Sequence, residues 1–180
     1  NIYPNIQFRT QATGVEIDNF VLGTLTTNGS LSKENILFER LNISNNSGTV
    51  LLNKTVIDTN NTWKFSTSVN ISELELQQLL LNLTVPKTPL HLDLSGSLPC
   101  EGEMYPFQLN CKGKVFGKNL SVHSGEPEKF PIVDVANIET EGEVKVNLKE
   151  VTYKAEIKVG KSSTGRSSGA ISYSKGFNID

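Results

Sequence analysis

Strict alternation of apolar and polar residues is the feature of this sequence that most limits its fold. Between residues 63 and 71, every second residue is apolar or Thr, and the positions between them hold Lys64, Ser66, Ser68 and Asn70. Successive side chains of a β-strand point to opposite faces, so this period of two predicts a strand with one buried face. By the same rule we predict strands at Trp63–Ile71, Leu90–Leu98, Phe107–Val115, Val144–Leu148 and Val151–Val159, and weaker ones at Ile6–Thr10, Val15–Leu25, Leu37–Ile43, Val50–Ile57, Ile132–Ile138 and Ala170–Tyr173.

Turn residues separate the predicted strands and leave room for one helix. Clusters of Asn, Ser, Gly and Asp divide the strands at intervals of about 10 to 14 residues, which favours an antiparallel meander over βαβ units. Ser72 followed by Glu75 matches a capping box and predicts a helix over Glu73–Leu81 that docks on the sheet. The stretch Gly160–Gly169 has the composition of a flexible loop. The predicted fold class is therefore all-β with one short helix.

Composition and charge argue against several classes of function. The 17 Lys and Arg nearly balance the 19 Asp and Glu, for a net charge of −2, so the sequence lacks the basic excess typical of nucleic-acid binding. Two His and two Cys are too few for a disulfide scaffold or a structural zinc site. Neither His91 nor His123 stands in a catalytic pattern, and no pair of carboxylates is singled out. We therefore expect no enzyme activity, no catalytic residues, no metal site, no cofactor and no nucleic-acid partner.

The two cysteines lie on neighbouring predicted strands and in the same phase. Cys100 continues the alternation of Leu90–Leu98, and Cys111 is one of the apolar positions of Phe107–Val115. Both thiols therefore point to one face of a hairpin whose turn lies near Glu103–Pro106. Directly opposed residues of an antiparallel pair have Cα atoms about 4.5–5.5 Å apart, a distance that a disulfide bridges. We predict a Cys100–Cys111 disulfide, with two buried free thiols as the alternative.

A continuous apolar face has two interpretations. It is either the core of a closed β-sandwich or barrel, or the lining of an open, curved sheet that holds acyl chains. Periodicity does not separate the two, because both need one apolar face. The closed sandwich fits a structural or adhesive domain of a cell-surface protein, and the open groove fits a lipid carrier.

Several segments resemble the repeating β pattern of the TamB/AsmA-like superfamily. In that pattern a Gly-x-Leu step is followed by a short polar turn and then by a Gly-x-Val or Gly-x-Leu step. The resemblance covers most of residues 20–125. It is carried by Gly23–Leu25 with Gly29–Leu31, Leu41–Ile43 with Gly48–Val50, Trp63–Phe65 with Ile71–Leu74, and by Leu92–Leu98, Tyr105–Leu109, Lys112–Val115 and Lys118–Val122.

This resemblance implies a β-taco, an antiparallel curved sheet that forms an open groove with an apolar lining. It implies a periplasmic bridge segment that carries phospholipid acyl chains between the inner and outer membranes, with a role in outer-membrane protein assembly beside an outer-membrane β-barrel partner. The chain, residues 1–180, is interpreted as one β-rich domain, a fragment of a longer repetitive protein whose inner-membrane anchor lies outside it. A cell-surface or extracellular location is the alternative.

The groove is expected to be lined by the apolar members of the best strands that share one phase. These residues are Trp63, Phe65, Val69, Leu90, Leu92, Leu94, Phe107, Leu109, Val144, Val146, Tyr153 and Ile157.

Overall fold

The structure is a computed structural model that describes residues 5–17, 20–60, 63–82, 86–124, 130–160 and 163–172. Within these ranges the chain forms ten β-strands and one short α-helix. In chain order they are β1 (Ile6–Ile17), β2 (Phe20–Leu31), β3 (Asn35–Asn45), β4 (Gly48–Asp58), β5 (Lys64–Glu75), α1 (Leu76–Asn82), β6 (Leu90–Met104), β7 (Phe107–Ser124), β8 (Phe130–Asn147), β9 (Glu150–Val159) and β10 (Ser163–Ser172).

All ten strands belong to one antiparallel sheet whose strand order is the chain order. Short connections place each new strand beside the previous one, so every hairpin extends the same sheet. In the described part of the chain, β1 and β10 are the two outer strands, the sheet is not closed, and no second sheet packs against it. The prediction of an all-β chain with one short helix is confirmed. The closed β-sandwich is not the arrangement that these residues form.

Several strands run longer than the alternation predicted, because local irregularities let them change phase and continue. In β7 the apolar phase shifts by one residue after Val115, and Asn119 has a φ of 56° at this shift. The sequence predicts a bulge near Gly117 that would set Leu90 opposite Val122, and the structure makes that pairing. Lys54, with a φ of 51°, marks a similar shift in β4.

The predicted capping box is wrong, because the helix begins at Leu76 and not at Glu73. Ser72 is a strand residue that pairs with Thr49 of β4. The Glu73 N–H donates a hydrogen bond to the Ser95 hydroxyl at 3.1 Å. Strand pairing of Ser72 and a hydrogen bond from the Glu75 N–H to the Ser47 carbonyl take the place of the capping box, and β5 continues to Glu75.

The helix docks on the sheet, as expected for a helix this short. It packs against β5 and β6, with Gln77 and Leu80 buried. The turn between β3 and β4 holds it from the side, because the Asn82 amide donates to the Asn46 side-chain oxygen at 2.9 Å and the Glu75 N–H donates to the Ser47 carbonyl at 2.6 Å.

Two other expectations about local structure need correction. The single strand predicted at Val15–Leu25 is divided between β1 and β2, which pair as a hairpin. The predicted flexible loop Gly160–Gly169 contains most of β10, which pairs with β9 along its whole length. In both cases hydrogen bonding to a neighbouring strand outweighs what local composition favours. Tyr173, expected to end the last strand, lies outside the described residues.

Candidate functional site: the apolar face of the sheet

Cross-strand pairing places the predicted apolar side chains on one side of the sheet. Ile57, Phe65, Gly102, Leu109 and Val146 form one row of direct partners across β4 to β8. Residues that pair directly share a face, and every second residue along each strand lies on that face too. We call this side the apolar face; its members include Ile6, Phe8, Ala12, Leu25, Leu31, Ile36, Phe38, Leu41, Ile43, Val50, Leu52, Ile57, Phe65, Val69, Ile71, Leu74, Leu90, Leu92, Leu94, Leu98, Phe107, Leu109, Val115, Ile138, Val144, Val146, Val151, Tyr153, Ala155, Ile157 and Val159.

The structure brings together all of the predicted groove residues on this face except Trp63. Trp63 precedes β5, has a φ of 53°, and its side chain is 47% exposed. The first strand pair of β5 is Lys64 with Glu103, and the Trp63 carbonyl accepts a hydrogen bond from the Met104 N–H at 3.0 Å. Trp63 is therefore a turn residue, and its assignment to the strand is corrected.

The contribution of β1 to β4 is the part of the apolar face that the predicted lining omits. Phe8 and Phe38 meet edge to face there, with ring centroids 5.5 Å apart. The apolar phase of β3 and β4 changes between Phe38 and Leu41 and between Thr55 and Leu52. This change hides a simple period of two, so these strands gave a weaker signal. The pair of Phe8 on β1 and Gly29 on β2 is the signal that could have shown it.

Glycines let large side chains lie flat over the sheet, so the apolar face is partly buried without a second layer. Phe65 lies over its partner Gly102, where an added Cβ would come within 2.7 Å of the ring. Tyr153 lies over Gly169 in the same way. This pairing of an aromatic ring with a glycine on the adjacent strand pins the register of a sheet. Phe65 also stacks on Phe107, with ring centroids 6.4 Å apart.

The predicted disulfide is present at the centre of the apolar face. Cys100 and Cys111 are direct partners of β6 and β7, bonded to each other, with Cα atoms 4.1 Å apart. Both are buried and, with Leu98, form a buried hydrophobic cluster against which Val69, Ile71, Leu109 and Val115 pack. The prediction of the pair and of the hairpin register is confirmed. A disulfide also indicates an oxidising, extracytoplasmic environment.

One polar pair is accommodated within this face. The hydroxyls of Thr55 and Thr67 are buried and hydrogen-bonded to each other at 2.7 Å. Because each hydroxyl has a partner, burying them costs little. Along their strands these two threonines lie between the pair Ile57 and Phe65 on one side and the pair Leu52 and Val69 on the other.

The opposite side of the sheet is charged, and ion pairs link its strands. Glu143 of β8 lies 3.5 Å from the Lys112 ammonium of β7 and 3.4 Å from that of Lys145. Desolvation opposes ionisation of Glu143, but the two lysines outweigh it and lower the pKa of its carboxyl. A hydrogen bond from the Lys114 ammonium to Glu139, together with the charges of Glu139 and Glu141, raises the pKa of Lys114. This side therefore faces water, and the two sides of the sheet have opposite character.

Two kinds of feature are absent from the part of the chain that the structure describes. None of the helices there is long and apolar enough to span a bilayer. No group of three or more His, Cys, Asp or Glu in that part of the chain could hold a metal ion. In comparisons with known proteins, no family model, curated protein or solved structure matches this chain.

Proposed function

We propose that this chain is a periplasmic bridge segment whose apolar face carries phospholipid acyl chains between the inner and outer membranes. The observation that supports the proposal best is the uncovered apolar face itself. A sheet with one apolar side normally buries that side against another layer. In the described residues, only α1 packs on the sheet, against β5 and β6, and the other strands have no covering layer.

The size of the apolar face suits lipid tails better than a small compact ligand. Neighbouring strands lie about 4.8 Å apart, so the ten strands span about 43 Å. That distance exceeds the roughly 30 Å thickness of the hydrocarbon core of a bilayer. Several acyl chains could therefore follow one another across the strands without leaving an apolar surface.

The mechanism that we propose is passive. Moving a methylene group from water to an apolar surface is favourable by about 0.8 kcal/mol, so a tail in contact with the sheet is strongly preferred to a tail in water. Head groups stay in water while the tails slide over Val, Leu, Ile and Phe side chains. The proposal needs no catalytic residue and no cofactor. It includes an inner-membrane anchor outside this chain and an outer-membrane β-barrel partner that would connect the segment to outer-membrane protein assembly.

Site-specific photo-crosslinking tests the proposal with matched neighbours. A photoreactive residue at Leu109 lies on the apolar face, and one at Gln108, the preceding residue, lies on the charged side. Phe65 and Ser66 form a second such pair on β5. In cells, we expect phospholipid adducts from Leu109 and Phe65 and a background level from Gln108 and Ser66.

Two outcomes would contradict the proposal. Equal lipid labelling from both sides would mean that lipid contacts the protein without selecting the apolar face. Protein adducts without lipid, at Leu109 and Phe65 alone, would instead mean that another polypeptide covers the face, as in a structural or adhesive domain.

A further inference from the structure

Large apolar side chains collect at one end of the sheet, in and beside its turns. Tyr105 and Leu148, in the turns after β6 and β8, are 85% and 73% exposed. Trp63, the single Trp of the chain, is 47% exposed in the turn before β5. We call the exposed residues of this end the turn rim: Ile6, Leu31, Trp63, Met104, Tyr105 and Leu148.

Hydrogen bonds within and between these turns hold the rim in an ordered arrangement. The turn after β2 and the turn after β4 are joined, because the Thr59 N–H donates to the Glu34 carbonyl at 3.0 Å. The turn after β8 is closed by the Asn147 side-chain oxygen, which accepts from the Lys149 N–H at 2.8 Å. Trp63 has a positive φ, which is rare for a bulky residue and costs free energy. An ordered backbone therefore keeps these side chains in water, where apolar groups are disfavoured.

The opposite end of the sheet has a different composition. Its turn after β3 consists of Asn45, Asn46, Ser47 and Gly48, and the Asn45 side chain accepts a hydrogen bond from the Ser47 N–H at 2.9 Å. In sequence, residues 124–129 and 160–162 between the later strands consist of Ser, Gly, Glu, Pro and Lys only. Turns normally favour such residues. In the part of the chain that the structure describes, the turns with large apolar residues lie at the rim end, whereas the exposed apolar residues Leu81 and Ile132 near the opposite end belong to α1 and β8.

We propose that the turn rim inserts into the interface of a phospholipid bilayer. Successive turns at this end are two strands apart, so their tips are separated by about 10 Å. A row of separated side chains does not form the compact, desolvated cluster on which protein interfaces depend. A fluid bilayer interface can surround each tip separately, and Trp and Tyr are the residues that this interface favours.

The charges beside the rim indicate that insertion is driven by apolar contact. Both signs are represented: Lys33, Lys64 and Lys149 against Glu34, Asp58, Glu103 and Glu150. Lys64 also pairs with Glu103 at 3.8 Å. A nearly neutral rim has no strong preference for anionic lipid, so we expect binding to zwitterionic vesicles with little dependence on salt.

The test measures sedimentation of the full chain with phosphatidylcholine vesicles and the fluorescence of Trp63. We expect the chain to pellet with the vesicles, the emission of Trp63 to shift to shorter wavelength, and brominated acyl chains to quench it. Removing one large rim side chain should lower the partition coefficient about 10-fold, so Tyr105→Ser and Leu148→Ser should each show this loss. Phe116→Ser is the control, because Phe116 is 52% exposed but lies on the charged side of β7 and outside the rim.

Three results would overturn the proposal: no sedimentation with vesicles, equal sedimentation of the rim variants and the wild type, or binding to anionic vesicles alone that salt abolishes. The retained disulfide and an unchanged melting temperature of each variant show that the comparison is between folded chains. The rim proposal is independent of the proposed function. A chain that only takes lipid onto its apolar face stays in the supernatant with that lipid while the vesicles sediment. Lipid crosslinking at Leu109 then persists although the rim does not bind the vesicles.

Discussion

At the scale of single residues, pairs of a glycine and a large side chain explain how one layer of sheet partly buries its own apolar surface. Phe65 over Gly102 and Tyr153 over Gly169 are two such pairs, and Phe8 over Gly29 is a third. Each glycine leaves the space that the neighbouring ring fills. The apolar face is therefore a packed surface even where nothing covers it, and its packing can be tested residue by residue.

We expect Gly102→Ala to destabilise the chain, although Ala has the higher strand propensity. The added methyl group would meet the Phe65 ring at 2.7 Å and the Gln108 carbonyl oxygen. Overpacking of this kind costs about 1–3 kcal/mol. Urea denaturation measures the free energy of unfolding. Gly165→Ala is the matched control, since a Cβ at Gly165 would meet no atom within 4 Å, and a similar loss from both variants would contradict the explanation.

The Cys100–Cys111 bond should contribute to stability mainly by limiting the unfolded chain. The loop that it closes is short, with a sequence separation of 11. Such a loop corresponds to about 2–3 kcal/mol. We therefore expect reduction to lower the free energy of unfolding by that amount in urea titrations, with no effect of reductant on the double variant Cys100→Ser, Cys111→Ser. Two alkylatable thiols in protein from an oxidising compartment would refute the bond.

At the scale of elements, the helix α1 and the bulged strands show where local sequence decides structure and where pairing decides it. The helix forms in the predicted place, but pairing with β4 and β6 extends β5 through Ser72 and delays its start. Strict alternation located Phe107–Val115 well. The predicted bulge near Gly117 extends the pairing to Val122, and in the structure β7 continues to Ser124 because a bulge at Asn119 restores pairing after the phase is lost.

Because α1 docks on the sheet, we expect truncation of two adjacent leucines to lower the free energy of unfolding by very different amounts. Leu80 is 9% exposed and Leu81 is 40% exposed. Truncating a buried Leu to Ala costs about 2–5 kcal/mol, and truncating a half-exposed one costs much less. Thermal and urea unfolding of Leu80→Ala and Leu81→Ala should show this order. Equal effects would mean that α1 does not pack on β5 and β6 as described.

At the scale of the whole molecule, the sequence predicted the sheet and the phase of its strands but not which residues stay uncovered. The disulfide and most residues of the apolar face followed from alternation, since pairing partners must share a face. The position of Trp63 did not follow from alternation, because its positive φ takes it out of the strand. Whether a second layer covers an apolar face depends on long-range contacts, which a period of two does not encode. That is why the closed sandwich and the open sheet remained alternatives until the fold was known.

An open apolar face should tolerate a charge that a closed core would not. Leu92 lies beside Gly117 on this face and is only half-buried. We expect Leu92→Arg to fold, with a loss of stability below about 2 kcal/mol, because the cation can reach water, and we expect it to lower lipid crosslinking at Leu94, two residues away on the same face of β6. In a closed core the same unpaired charge typically costs about 3–5 kcal/mol. A Leu92→Arg chain that cannot be purified in folded form would contradict the open face.

In the function that we propose, lipid and not protein covers the apolar face. Native mass spectrometry of the chain purified from an oxidising compartment measures the number of chains and the mass of bound lipid in one experiment. We predict single chains that retain one or more phospholipids, which organic extraction releases. The amount of bound phospholipid should be lower in Leu92→Arg. Lipid-free chains, whether single or paired through their apolar faces, would contradict the account.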